Sequence, residues 1–126
     1  MRQVLRWFPL WATISWLVVA TVIFLSLTPH PIKFDIEQGD KLGHALGYMT
    51  VMVCFTQLYT RRVHVWWGLG FIALGIALEY VQGWTGYRHF EYWDMVADAV
   101  GVAVGWLLGG TTMAHLVSGI ERRITL

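Results

Sequence analysis

Residues 8–27 read FPLWATISWLVVATVIFLSL, twenty residues without a charge. At ~1.5 Å of rise per residue this run covers about 30 Å, the depth of a bilayer's hydrocarbon core. A helix on the surface of a soluble domain keeps a polar face, and this run has none. Arg2 and Arg6 precede it, and Pro29 and Pro31 follow. The run is long for the apolar part of a secretory signal, and Leu27-Thr28-Pro29-His30 offers no small-residue cleavage site. It reads as an uncleaved first transmembrane helix.

Three more apolar runs follow, at about 42–59, 63–81 and 94–118. Each has the ~18 to 25 residues expected of a spanning helix. The period-two alternation of a membrane β-barrel is absent. Composition agrees. Of 126 residues 56% are hydrophobic and 13% charged, and mean hydropathy is +0.53. Soluble domains carry about 25% charged residues, so this chain is neither a disordered segment nor an ordinary soluble domain. A net charge of +1 gives no reason to expect a nucleic-acid partner. The single Cys54 excludes an intramolecular disulfide and a multi-cysteine metal site. The expected fold is all-α, an integral-membrane four-helix bundle formed by residues 1–126 as one domain.

Basic residues set orientation. In a four-helix topology Arg2, Arg6, Arg61, Arg62, Arg122 and Arg123 share one side, against Lys33, Lys41 and Arg88 on the other. Six against three places both termini in the cytoplasm, in a multi-pass protein of the bacterial cytoplasmic (inner) membrane. Loops 28–41 and 82–93 then face outward. Trp7, Trp11, Trp66, Trp67, Trp84 and Trp93 lie near the interfaces and read as aromatic belts. His64 and His115, at the inner ends of their helices, read as interfacial histidines.

The outer end concentrates the remaining ionisable groups. Asp40, Lys41 and His44 open the second helix, Glu79 and Gln82 close the third, and Asp94 and Asp98 open the fourth, with Arg88, His89 and Glu91 in the loop between. An ionisable group at hydrocarbon depth costs about 2.5–3.5 kcal/mol unless paired or hydrated. Helical spacing puts Asp40, His44, Gly47 and Val51 on one stripe, Gly68, Ile72, Gly75, Glu79 and Gln82 on another, and Asp94, Asp98, Gly101 and Gly105 on a third. Glycines at four-residue spacing let backbones approach, so the three faces are expected to meet below a common polar pocket. Plainer roles compete at each position. Asp94 serves equally as a helix N-cap, Lys41 and Glu91 as interfacial anchors, and His44 as a core histidine bonded to a carbonyl. Glu79 and Asp98 could form ion pairs with Arg88 or Lys41.

The ordered pattern Asp40-Lys41-x-x-His44-x-x-x-Tyr48, Arg61-Arg62, Glu79-x-x-Gln82, Arg88-x-x-x-x-x-Asp94-x-x-x-Asp98-x-x-Gly101-x-x-x-Gly105 resembles the VanZ-like membrane proteins. The resemblance covers roughly residues 40–109. That family often carries Asn where this chain has Asp98. Its namesake is associated with teicoplanin resistance, so the resemblance implies a role at the cell envelope, with lipids or lipid-linked glycans. It implies no particular reaction.

Two main functions fit these residues. The first is an enzyme on an amphiphile's head group, with His44, Glu79, Asp94 and Asp98 as the catalytic candidates. His44 would act as general acid or base oriented by a carboxylate, and Glu79 would share the proton work. Lys41 and Arg88 would hold a phosphate or carboxylate, with Asp40, Tyr48 and Gln82 completing the ligand-binding set. The cluster holds no Ser or Cys nucleophile. Its carboxylates and His44 could ligate a hard metal, but at no recognised motif spacing, so neither metal nor other cofactor is expected. The second is a non-catalytic lipid- or glycolipid-binding protein that alters envelope composition or lipoglycopeptide sensitivity. A small carrier fits less well, because the inner halves of the helices are nearly apolar. The expected partners are membrane lipids or a lipid-linked envelope precursor, and the glycine-bearing faces allow a homodimer.

Overall fold

The structure, a computed structural model, describes residues 2–28, 39–86 and 90–124, apart from the side chain of Asp40. Among the described residues the chain is all-helical. α1 is Phe8–Leu27, α2 Gly39–Leu58, α3 His64–Thr85, α4 Tyr92–Gly110 and α5 Leu116–Ile124, with a single 3-10 turn at Arg61–Val63. Two helices are long and apolar enough to cross a membrane, α1 and α3 with its preceding turn. The polar residues in the first turns of α2 and α4 make those helices less apolar.

α1 has the expected bounds. Pro9 sits in its first turn, where no backbone N–H is needed. Its hydroxyls are spent within the helix, Thr13 on Pro9 O (2.7 Å), Ser15 on Trp11 O (2.8 Å) and Thr21 on Leu17 O (2.8 Å). That local bonding lets a polar atom sit in apolar surroundings without an outside partner.

The other three helices depart from their expected limits. α2 starts at Gly39 rather than 42, which brings Asp40 and Lys41 into its first turn. α3 runs four residues past 81, to Thr85, and ends on Gly86 at φ 81°, a left-handed C-cap that glycine adopts without strain. The expected fourth helix, 94–118, is two helices. α4 starts earlier, at Tyr92, and stops at Gly110, and α5 begins at Leu116. Two glycines followed by two β-branched threonines weaken the helix there. The break is also held by bonds made elsewhere. Met113 N donates to Leu108 O (2.8 Å), Gln57 Nε2 donates to Met113 O (2.8 Å), and the Arg61 guanidinium caps Gly110 O.

α2 lies at the centre. Tyr48, Val51, Met52, Phe55 and Leu58 are all at most 2% exposed, and α1, α3 and α4 contribute Val19, Phe71 and Val102 around them. Phe55 packs on Trp16, Trp67 and Phe71 at ring separations of 5.0, 4.7 and 4.9 Å. α2 and α4 run parallel in close contact, with Gly101 against Ala45, Gly105 against Met49 and Met52, and Gly109 against Thr56. α3 crosses α4 in the opposite sense, Gly75 against Asp98 and Gly68 against Trp106. The α4 glycine face is thus taken up inside the chain, and any homodimer must use another face.

Candidate functional site

This packing brings the start of α2, the end of α3 and the start of α4 to one end of the molecule. His44, on α2, is held by Asp98 of α4, with Nδ1 2.8 Å from Oδ1. Asp98 is 2% exposed and fits there because α3 presents a glycine. A Cβ on Gly75 would lie 2.7 Å from Asp98 Oδ2. With Asp98 ionised and the imidazole neutral, Nδ1 donates and Nε2 keeps its lone pair. Nε2 faces Asp94 Oδ2 at 3.8 Å, beyond hydrogen-bonding distance but within reach of one bridging water.

Lys41 forms the rim. Its Nζ lies 2.5 Å from Glu91 Oε2 and 3.4 Å from Asp94 Oδ1. That Asp94 oxygen is buried, and the Lys41 charge beside it compensates it. Glu79, 1% exposed, joins through the backbone: Glu91 N donates to its Oε1 at 2.7 Å. Among the described residues four carboxylates therefore surround one lysine and one histidine.

The expected site residues divide by this geometry. His44, Asp94, Asp98, Lys41 and Glu79 come together. Tyr48 lies one turn below His44 in the core. Gln82 turns away: its Nε2 donates to Ser26 O at 2.6 Å and ties α3 to α1. Arg88 and the side chain of Asp40 lie outside the described residues, as do Lys33 and His89. Asp94 does not cap α4, because Glu91 holds the N-cap position and no side chain bonds there. His44 bonds a carboxylate, not a backbone carbonyl. No group of three or more His, Cys, Asp and Glu among the described residues is placed to hold a metal.

Glu91 is more than an interfacial anchor: its carboxylate accepts from Lys41, and its backbone N–H donates to Glu79. Its position three residues before Asp94 was the available signal. At the opposite end Glu121 was missed altogether. Its Oε1 accepts Arg6 N–H (2.9 Å), and its Oε2 accepts Trp7 N–H (2.9 Å) and the Trp11 indole N–H (2.6 Å). Burial works against its charged form, but these donors and the Arg6 charge win and hold its carboxyl below the ordinary value of 4.5. One acid thus ties down the N-cap residue Trp7, Arg6 before it and the Trp11 indole from 110 or more residues away, a pairing with no local sequence signal.

Comparison of the chain with protein-family models, with curated proteins and with solved structures returns no match.

Proposed function

We propose that this chain is a multi-pass protein of the bacterial cytoplasmic membrane that binds a lipid or lipid-linked head group at the outer ends of α2, α3 and α4 and moves protons on it. α1 to α4 cross the bilayer with both termini inside. The exterior supports this. Leu17 on α1, Leu69 on α3 and Leu107 on α4 are each more than half exposed, an unfavourable arrangement in water and the expected one in lipid. On α2 the core face is covered by its neighbours, while Leu42, Leu46 and Thr50 face outward, with the Thr50 hydroxyl donated to Leu46 O (2.8 Å). A tag at either terminus reachable from outside intact cells would overturn the orientation.

The observation that carries the function is the His44–Asp98 pair. A buried carboxylate at 2.8 Å fixes the imidazole, and the free Nε2 points toward a rim built by Asp94 and Lys41. That is the arrangement of a positioned general base, which contributes about 10²- to 10⁴-fold to a rate. The excess of carboxylates suits hydroxyl- or amine-bearing head groups, such as those of lipid-linked glycans. Asp94, 3.8 Å from Nε2, is within one bridging water of sharing the proton. The VanZ-like motif residues support the same setting at the envelope.

A non-catalytic binder is the second reading. It is favoured by the lack, among the described residues, of a Ser or Cys beside His44 to act as nucleophile. Reconstitution of the full chain into vesicles of host lipid extract separates the two. Catalysis predicts a change in the mass of a lipid or lipid-linked precursor, lost in His44→Gln at unchanged melting temperature. Head-group binding without any mass change would overturn the enzymatic reading and leave the binder, with altered envelope composition or lipoglycopeptide sensitivity as its consequence.

A further inference from the structure

The end opposite the site carries an unexplained surface. α5 has nine residues, about 14 Å at 1.5 Å per residue, far too short to span a bilayer. Its residues nonetheless sort onto three sides. Leu116, Ile120 and Ile124, four apart, form an apolar stripe about 80° wide at 100° per residue. All three are exposed, Ile124 by 61%. Val117 and Glu121 face the rest of the chain, Val117 N donating to Gln57 Oε1 (3.2 Å) and Glu121 holding the start of α1. The third side bears Ser118 and Arg122. With Val4, Arg6, His115 and Glu121 they line a cleft of about 440 Å³. Glu121 keeps its negative charge while accepting from Arg6 N, Trp7 N and Trp11 Nε1, so Arg6 and Arg122 leave the cleft one net positive charge.

We infer that α5 and this cleft dock an anionic lipid of the leaflet at the termini end. The apolar stripe lies at the acyl boundary, and the lipid phosphate sits in the cleft against Arg6 and Arg122. Three features select a lipid over a soluble partner. A short helix with an apolar stripe and arginines beside it is the pattern of an interfacial helix. The cleft offers two cations to a phosphodiester. Arg123, beside the stripe, adds a third charge of the sign that anionic headgroups attract. The inference rests on the membrane reading above.

The test uses the full chain in detergent with equal amounts of phosphatidylglycerol and phosphatidylcholine, and native mass spectrometry of the lipid retained. Wild-type chain should retain the anionic phosphatidylglycerol preferentially. Arg6→Gln with Arg122→Gln should lower that retention about 30-fold, from about 1 kcal/mol per basic residue near an anionic surface. The Arg6 change keeps the backbone N–H that Glu121 accepts but removes a charge that favours the Glu121 carboxylate. If the double variant does not fold, Arg122→Gln alone, at an exposed position, should lower retention about 5-fold. Equal retention of the two lipids, unchanged retention in the variants, or displacement by inorganic phosphate would each overturn the inference. Carbonate extraction of native membranes tests the underlying reading separately. A chain that resists extraction yet shows no lipid preference refutes only the docking surface, and a chain released by carbonate refutes the membrane reading itself.

Discussion

Replacing Gly105 by Ala tests the contact that assembles the site. A Cβ there would lie 2.5 Å from the Met49 carbonyl oxygen and 2.9 Å from Met52 Cβ. Neither atom can swing aside, since one is backbone and the other begins its side chain. Ordinary contact starts near 3.4 Å, so α4 must withdraw from α2 by about 0.9 Å. A gap of 0.5–1 Å forfeits about a quarter to a half of each facing dispersion well. Overpacking of this kind costs about 1–3 kcal/mol, against which alanine's better helix propensity offsets up to about 1 kcal/mol. The expected net loss is about 0–3 kcal/mol. Gly70→Ala is the matched control, because a Cβ on Gly70 meets nothing within 4 Å. It should gain up to about 1 kcal/mol from propensity alone. The two variants should therefore differ by about 1–3 kcal/mol, the overpacking cost itself. Chemical unfolding in one detergent, followed by tryptophan fluorescence, measures the difference. Two variants of equal stability would refute the close α2–α4 packing, and with it the account of how Asp98 reaches His44.

Further outcomes follow from single groups. Asp98→Asn preserves shape and an acceptor for His44 Nδ1, so it should cost less stability than Asp98→Ala, which strands a buried donor at about 1–3 kcal/mol; thermal melts compare them. Gln82→Leu should cost about 1–3 kcal/mol by orphaning the Ser26 carbonyl at the α1–α3 junction, measured by unfolding, and an unchanged melt would remove Gln82 from that role. Glu121 has a lowered folded value, so its stabilisation is full above its ordinary 4.5 and is lost as pH falls through the lowered value. Glu121→Gln should therefore melt lower than wild type at neutral pH and lose less stability on going from about pH 5 to about pH 3. Parallel pH profiles of the two chains would overturn that assignment.

Much of the molecule was visible in the residues themselves. The uncharged run 8–27 stated its helix to both limits, because nothing within it invites a break and a proline-rich stretch follows. Of the α3 stripe Gly68, Ile72, Gly75, Glu79 and Gln82, all but the half-buried Ile72 are buried, and the stripe Asp94, Asp98, Gly101 and Gly105 is buried on α4. The misreadings occurred where distant groups intervene. The run 94–118 looks continuous because its apolar content is, yet Arg61, Gln57 and the Gly109-Gly110 pair end α4 within it. Gln82 shares a stripe with Glu79, but a carbonyl of α1 draws its side chain aside. Glu91 and Glu121 carry no periodic signal, since each takes its role from backbone N–H groups or cations reached only after folding.

Periodicity and charge scarcity by themselves determined that the chain is helical, which face of each helix is polar or glycine-bearing, and that His44 shares one end with most of the acids. A helical period locates a face but not the rotation and axial offset of one helix against another. Those were decided by tertiary contact. Glycines 101, 105 and 109 let α4 approach α2 in one register, and Gly75 clears the space for a carboxylate. In that register Asp98, and not Asp94, meets His44 at 2.8 Å: the two share a face, so the axial offset of about 6 Å between them, and not rotation, makes the choice.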